Sequence, residues 1–414
     1  MRIIESIERK NASFSYACFI VCSLFIFLTI PFARTFQASV DRHLGDNFLL
    51  YFVLAAVICS FFVVLARLKQ SLTGKVFLNR FAWLSAIAGT YVYLTVKLRE
   101  NPEEAIHFLE YGLLSYFAHR ALSHHVKDVT VYFTASLATL FVGTVDEILQ
   151  WTWPGRYWDI RDVGLNFLSG VLFQLGLYKG INPQMVSEKI KKGSIKIFSI
   201  VLCSCIILLG LCASNTPSRI VYYSKRLPWL SFLHSNAFMM TDYGYKHRDP
   251  EIGIFYSRFS KEKLQSIDDR QKEIHSNILN KTTQMDYEQF LRTYNPYSHP
   301  FLYEMRIHLF RRDRYLLRGK NPNEAKRQAL TISFKENLIL EKYFGNTLRL
   351  SVYRWPQQIR EEVRKHAALD AFYESPVGSD LFTSFTEKTL WSAIGGFLIA
   401  VVLANLLVFK RSRR

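Results

Sequence analysis

The chain is short of the residues that mark several familiar chemistries. Its six cysteines, Cys18, Cys22, Cys59, Cys203, Cys205 and Cys212, all fall inside apolar runs. That placement argues against a disulfide framework or a Cys-based zinc site and gives all six the role of small buried hydrophobes. Glycine and proline are sparse, 19 and 12 in 414 residues. No Gly-rich phosphate loop, nucleophile elbow, HExxH sequence or internal repeat occurs. Acidic residues are also in deficit, 34 against 52 Lys and Arg, for a net charge of +18. In a soluble protein an isoelectric point near 9.6 would suggest nucleic acid. Here the basic residues sit beside long apolar runs, so a membrane is expected and a nucleic-acid partner is not.

What is present is a sharp division. A mean hydropathy of only +0.06 averages apolar stretches in 1–214 and 388–409 with a polar 215–387. The polar stretch holds 27 Lys and Arg against 20 Asp and Glu. Apolar segments of spanning length lie at about 14–32, 48–66, 81–98, 105–122, 129–149, 162–179, 195–213 and 389–409. His107, Glu110, His119 and Arg120 interrupt the fourth, which is expected to be short or half-buried in the bundle. The first is read as a retained helix, because it is long for a signal peptide and no small-x-small cleavage site follows. The expected fold is therefore all-α, a polytopic transmembrane bundle of about eight helices with a large, mainly helical insertion. Its parts are 1–100 (N-terminal helices), 101–180 (membrane core), 181–214 (seventh helix), 215–387 (insertion) and 388–414 (last helix and basic tail).

Basic residues occupy alternate loops: Arg9 and Lys10; Arg67, Lys69, Lys75 and Arg80; Arg120 and Lys127; Lys179 to Lys196; and Lys410 to Arg414. The positive-inside rule then places both termini in the cytoplasm and the chain in the cytoplasmic membrane. Residues 215–387 and the 150–162 connection fall on the outer side.

That connection belongs to the stretch Gly143–Gly170, which carries Asp146, Glu147, Gln150, Arg156, Asp159, Asp162 and Asn166. Ionisable groups at a membrane boundary are costly unless paired, solvated or used. Asp146, Glu147 and Gln150 end one helix, with Glu147 and Gln150 on one face, and at most one of the two adjacent carboxylates can cap or pair easily with Arg156. Pro154 and Gly155 break the chain among Trp151, Trp153, Tyr157 and Trp158, aromatics that suit an interface. Asp159 has the place of an N-cap, whereas Asp162 and Asn166 point one way into an apolar helix. His107, Glu110 and Tyr111 share a face of the fourth segment at the same outer level. The three helices are thus expected to converge on one polar pocket.

These residues resemble the VanZ-like family of bacterial membrane proteins. The resemblance rests on His107-Phe108, Glu110-Tyr111, Asp146-Glu147-x-x-Gln150, Pro154-Gly155-Arg156, Asp159, Asp162-Val163, Asn166 and Gly170, and covers roughly 100–180. The family's better-known member is associated with resistance to a lipoglycopeptide antibiotic that binds cell-wall precursors. The resemblance implies a cell-envelope location and brings no established reaction or cofactor. This chain adds helices on both sides and the large insertion.

Within the insertion, Ser260 caps an expected helix over 261–280, and Asn321-Pro322-x-Glu324 starts another ending at Phe344–Gly345. Pro356 starts a third over 357–373, while Thr347–Arg354 alternates like a strand. Phe334, Leu338, Leu340 and Tyr343 are expected core residues. His247–Pro250 reads as a turn, and Asn280-Lys281-Thr282 matches a glycosylation sequon. Glu304 and His308 are spaced for ordinary helix pairing, and with His299 specify no metal site. Arg311, Arg314 and Arg318 share a helical face that suits phosphate or carboxylate, or simply a solvated surface.

Three functions fit. The first is binding or modulation of a lipid-linked or surface glycan or cell-wall component through the outer pocket. Membrane lipid is then a neighbour, and an envelope protein a candidate partner for 215–387. The second is a membrane enzyme acting on a lipid-linked phosphate or ester with carboxylate or metal assistance, although no nucleophile or complete ligand set is readable. The third is a transporter, for which the cytoplasmic half offers only His119 and Arg120.

Overall fold

The computed structural model describes residues 12–99, 102–181, 186–187, 189–233, 239–240, 242–319 and 325–410. The chain divides into two compact units, 1–212 with 391–414, and 213–390.

The first unit is a helix bundle. In order it contains α1 (Ala12–Thr29), α2 (Ala33–Leu44), α3 (Phe48–Ser71), α4 (Gly74–Lys97), α5 (Pro102–Leu122), α6 (Thr130–Trp151), α7 (Ile160–Leu175), a π-helical turn (Gly176–Ile181) and α8 (Lys192–Ala213). Among the described residues, five helices are long and apolar enough to cross a membrane: α1, α3, α6, α8 and the last helix, at Glu387–Lys410. The other three expected segments are helices too, but they carry more charge or are shorter: α4 begins on Lys75 and Arg80, α5 holds His107 and Glu110, and α7 gives way to the π turn.

The core of this unit is α5, α6 and α7, packed on one another, with α1 against α5. Tyr111, Leu114 and Val142 meet Ile26 of α1 there. The interrupted fourth segment is thus packed among other helices, since polar residues are tolerated where such helices cover them. By contrast α1 and α3 expose Phe25, Leu28, Phe52 and Phe62, which is the surface a lipid environment requires. Cys59 is exposed on α3 and so departs from the expected burial, while Cys205 and Cys212 follow it; all six thiols are free. The amphipathic α2 was not anticipated. Asp128, fully buried, accepts from Thr130 N (3.0 Å) and Lys191 N (2.8 Å) and ties the start of α6 to the 187–191 segment.

The second unit contains α9 (Pro217–Ser224), a 3₁₀ turn (Pro228–Leu230), the antiparallel hairpin β1 (Tyr245–Asp249) and β2 (Gly253–Ser257), α10 (Lys261–Lys281), α11 (Tyr287–Thr293), α12 (Pro300–Arg318), α13 (Ala325–Tyr343), α14 (Gly345–Leu350) and α15 (Gln357–His366). The last helix, α16 (Glu387–Lys410), begins at its end. Its core joins Phe255, Leu264, Phe290, Leu302, Leu309 and Leu340, with Tyr343 and Phe344 beside them. Ser260 caps α10 by accepting from Lys263 N, as its position implied. Asn321, Pro322 and Glu324 lie outside the described residues.

Three local expectations fail here. Thr347–Arg354 is not a strand: Asp268 accepts from Asn346 N (2.7 Å) and Thr347 N (2.8 Å), and this carboxylate cap from α10 folds the segment into α14. His247–Asp249 belong to β1 rather than to a turn, which falls at Pro250–Ile252. The helix after Pro356 stops at His366 instead of 373, because α13 and β2 capture the following residues. Thr331 Oγ1 accepts from Ala368 N (2.8 Å), and Tyr373 O accepts from Ile254 N (2.8 Å).

Candidate functional site

On α5, His107, Tyr111, Ser115 and His119 recur every four residues and so lie along one face. On α7, Asp162, Asn166 and Ser169 follow the same logic, and α6 contributes Asp146, Glu147 and Gln150. The three faces meet. Tyr111 OH donates to Asp146 Oδ2 at 2.9 Å. Gln150 Nε2 donates to the same oxygen and to Glu147 Oε1, each at 2.9 Å. Asp159 N donates to Glu147 Oε2 at 3.3 Å. His107 Nδ1 contacts Glu110 Oε2 at 3.2 Å and lies within electrostatic reach of Asp146 and Asp162.

Arg156, for which at most one carboxylate partner was expected, pairs with neither Asp146 nor Glu147. Its guanidinium donates to Gln150 Oε1, so Gln150 stands between the cation and the two acids. Asp159 caps α7 by accepting from Arg161 N at 2.8 Å and also binds the Arg161 guanidinium. Gly155 turns the connecting loop with φ +79°, a left-handed conformation that favours glycine, and Arg34 of α2 reaches to its side. Arg34 lies far away in sequence in an unanticipated helix; only its place beside a basic amphipathic pattern hinted at it.

Small residues let the helices come this close. A Cβ on Gly143 would stand 3.1 Å from Asn166 Cβ and 3.3 Å from the Tyr111 ring. A Cβ on Gly170 would stand 2.9 Å from Thr139 Cγ2. Such small-residue contacts are how helices pack when lipid offers no hydrophobic driving force.

The polar face continues along the core. Ser169 Oγ donates to Phe108 O (2.8 Å), and Tyr91 OH donates to Ser169 O (2.7 Å). Gln174 Nε2 donates to Ser115 O (2.9 Å), and its Oε1 contacts His119 Nδ1 (3.1 Å). Tyr91, Ser115, Ser169 and Gln174 were missed because a lone hydroxyl or amide in an apolar run has no distinctive spacing until the partner helix is known.

Several buried polar atoms of this unit break the pattern of satisfaction, and Asn166 and Asp146 carry those at the centre of the cluster. Asn166 is fully buried, yet neither Nδ2 nor Oδ1 has a hydrogen-bond partner, and Asp146 Oδ1 is buried without one. Buried polar groups are nearly always paired, so these atoms stand apart from the rest of the cluster. Among the described residues, no three His, Cys, Asp or Glu side chains are grouped to hold a metal ion.

Residues 14–181 match the VanZ/LLP1 family. The match spans α1 to the π turn, wider than the 100–180 stretch that carries the motifs, so this part of the chain is similar to VanZ-type membrane proteins. Among curated proteins and solved structures nothing matches the chain. The second unit lies beyond the matched residues.

In that second unit the spacing-based candidates are mostly engaged. Glu304 does not pair with His308 along α12. It accepts from Ser257 Oγ (2.6 Å) and Arg258 N (2.8 Å), whereas His308 Nδ1 meets Glu336 Oε2 of α13 at 2.6 Å. Glu336 also receives Tyr373 OH (2.5 Å), Ser375 Oγ (2.8 Å) and Arg311 Nε (3.0 Å). Burial alone would raise the Glu336 pKa, but His308 and these donors hold it below the usual carboxylate value. Arg311 is therefore spent on an internal carboxylate, and Arg314 and Arg318 remain on the exposed side of α12.

Proposed function

We propose that the protein binds a lipid-linked or surface glycan, or another cell-wall component, through the α5–α6–α7 cluster at the outer face of the bacterial cytoplasmic membrane. The observation that carries this reading is Asn166, a fully buried amide with both polar atoms unpartnered beside Asp146 and Tyr111. A hydroxyl-rich or phosphorylated head group supplies the donors and acceptors such an amide and carboxylate need.

The lipid part of the reading rests on an apolar groove of about 330 Å³ between α3, α4, α5 and α7, lined by Val57, Ile87, Tyr91, Phe108 and Leu172. Phe108 follows His107 and Gly112 follows Tyr111 in the chain, so a hydrocarbon chain in the groove runs beside the helix that carries the polar cluster. The alternation of basic loops supports cytoplasmic termini and an outer 215–387, where an envelope partner has access.

Native mass spectrometry with lipid extraction tests the reading, wild type beside Asp162→Ala. A polyprenyl-linked saccharide that accompanies the wild type and is lost from the folded variant supports it. Bulk phospholipid alone in both samples refutes it. A second reading, solute or proton translocation, draws on the Ser115–Gln174–His119 contacts, which extend the polar face beyond the cluster. Flux into sealed proteoliposomes that disappears in His119→Ala distinguishes it.

A further inference from the structure

The second unit contains a cleft of about 690 Å³ between the hairpin, α13, α15 and the 369–372 segment. This size lies within the range of small-molecule sites. At its wall stands Phe372, 76% exposed, with Leu369 40% exposed beside it.

An exposed ring on a loose loop would mean little, but this segment is pinned on both sides. Lys335 Nζ donates to Leu369 O (2.7 Å) and to Glu251 O (2.5 Å). Thr331 holds Ala368 N, Glu336 holds the Tyr373 hydroxyl, and Ile254 N binds Tyr373 O. Gly253, at φ +110°, lets the hairpin approach so closely that a Cβ would stand 2.1 Å from Tyr373 O. Phe372 is thus the most exposed large side chain of a segment held in place on both sides, with Leu369 beside it. Large apolar surface fixed in that way beside a polar cleft is a contact surface in wait of a partner.

The charge pattern narrows the partner. Lys342 is paired with Asp249 (3.1 Å) and with Glu251, and Arg360 with Glu341 (2.9 Å). Lys335 is satisfied by carbonyl groups, and burial lowers its pKa. Arg364 and Asp370 remain, of opposite sign. The cleft therefore offers many donors and acceptors with almost no net charge, which disfavours a polyanion. An apolar ring surrounded by balanced polar groups suits a saccharide, whose C–H face packs on an aromatic ring while its hydroxyls bond to charged side chains.

We propose that this cleft is a binding site for a neutral oligosaccharide, with Phe372 as its stacking platform and Arg364 as a hydroxyl-contacting residue. The site is separate from the membrane cluster and does not depend on the reading given for it.

The test is isothermal titration of the full-length protein in detergent micelles with cellotetraose, chitotetraose and mannotetraose, and tetragalacturonate as the anionic counterpart. At least one neutral tetrasaccharide binds the wild type, about five- to tenfold more weakly binds Phe372→Ala, and at near wild-type strength binds Phe372→Trp. Phe372 is exposed, so its truncation leaves the fold intact. Arg364→Gln weakens binding as well. Binding persists in Asp162→Ala, so loss of the membrane ligand and loss of this site are read apart. Binding of none of the neutral saccharides, of tetragalacturonate alone, or equally by wild type and Phe372→Ala overturns the proposal.

Discussion

Replacing Asn166 by alanine is expected to move stability and binding in opposite directions. The side chain is fully buried with two unpartnered polar atoms. Each such atom costs about 1–3 kcal/mol when nothing receives it. Its neighbour α6 is too close for relaxation, because a Gly143 Cβ would already stand 3.1 Å from Asn166 Cβ and 3.5 Å from Nδ2. Alanine keeps the Cβ contact, removes both polar atoms and leaves a small hole worth ~1 kcal/mol. Stripped of ligand, the variant should therefore be more stable than wild type by about 1–5 kcal/mol. Loaded with ligand, wild type regains the amide's hydrogen bonds and the variant binds about 10- to 100-fold more weakly. Thermal unfolding in detergent, on lipid-depleted and untreated samples of both proteins, reads the reversal. A stripped Asn166→Ala that is less stable than wild type by more than ~2 kcal/mol refutes the reasoning, because the amide is then satisfied within the fold.

Glu336→Gln should destabilise the second unit by about 3–5 kcal/mol, because it leaves Arg311 and His308 facing a neutral amide in a buried site; chemical unfolding followed by far-UV circular dichroism checks this. The Glu336 pKa is lowered on folding, so its contribution is present above the unfolded value near 4.5 and disappears as pH falls through the lower folded value. The glutamine variant should therefore show a shallower acid limb in stability against pH. Gly170→Val should destabilise the bundle by about 1–3 kcal/mol through the clash with Thr139, and Thr139→Ala should recover part of the loss in the same melting assay. Asp268→Ala should cost about 1 kcal/mol and increase hydrogen exchange at Asn346 and Thr347, whose amides it caps.

Legibility followed the range of the interactions involved. Asp159 as a cap and Glu147 beside Gln150 are set within one or two helical turns, and the structure has both. The partner of Arg156 was not readable, because Gln150, a neutral residue, takes it through geometry that charge alone does not reveal. Thr347–Arg354 looked like a strand because alternation is local, whereas Asp268 lies about 80 positions earlier. Glu304 and His308 have ideal helical spacing, yet each finds a better partner on another element, Arg258 and Glu336.

An all-α membrane protein with a polar insertion was readable from the chain alone, because apolar run length is a property of consecutive residues. The VanZ-like motif was readable in the same way, since those residues stand at fixed spacings along α5, α6 and α7. Which polar groups are satisfied and which are not emerges when the helices pack together. Asn166 and Gln174 look alike in sequence, as amides in an apolar helix. One faces Gly143 without a hydrogen-bonding partner, the other binds Ser115 and His119. The difference lies in what the neighbouring helix presents at van der Waals distance, which no single helix contains.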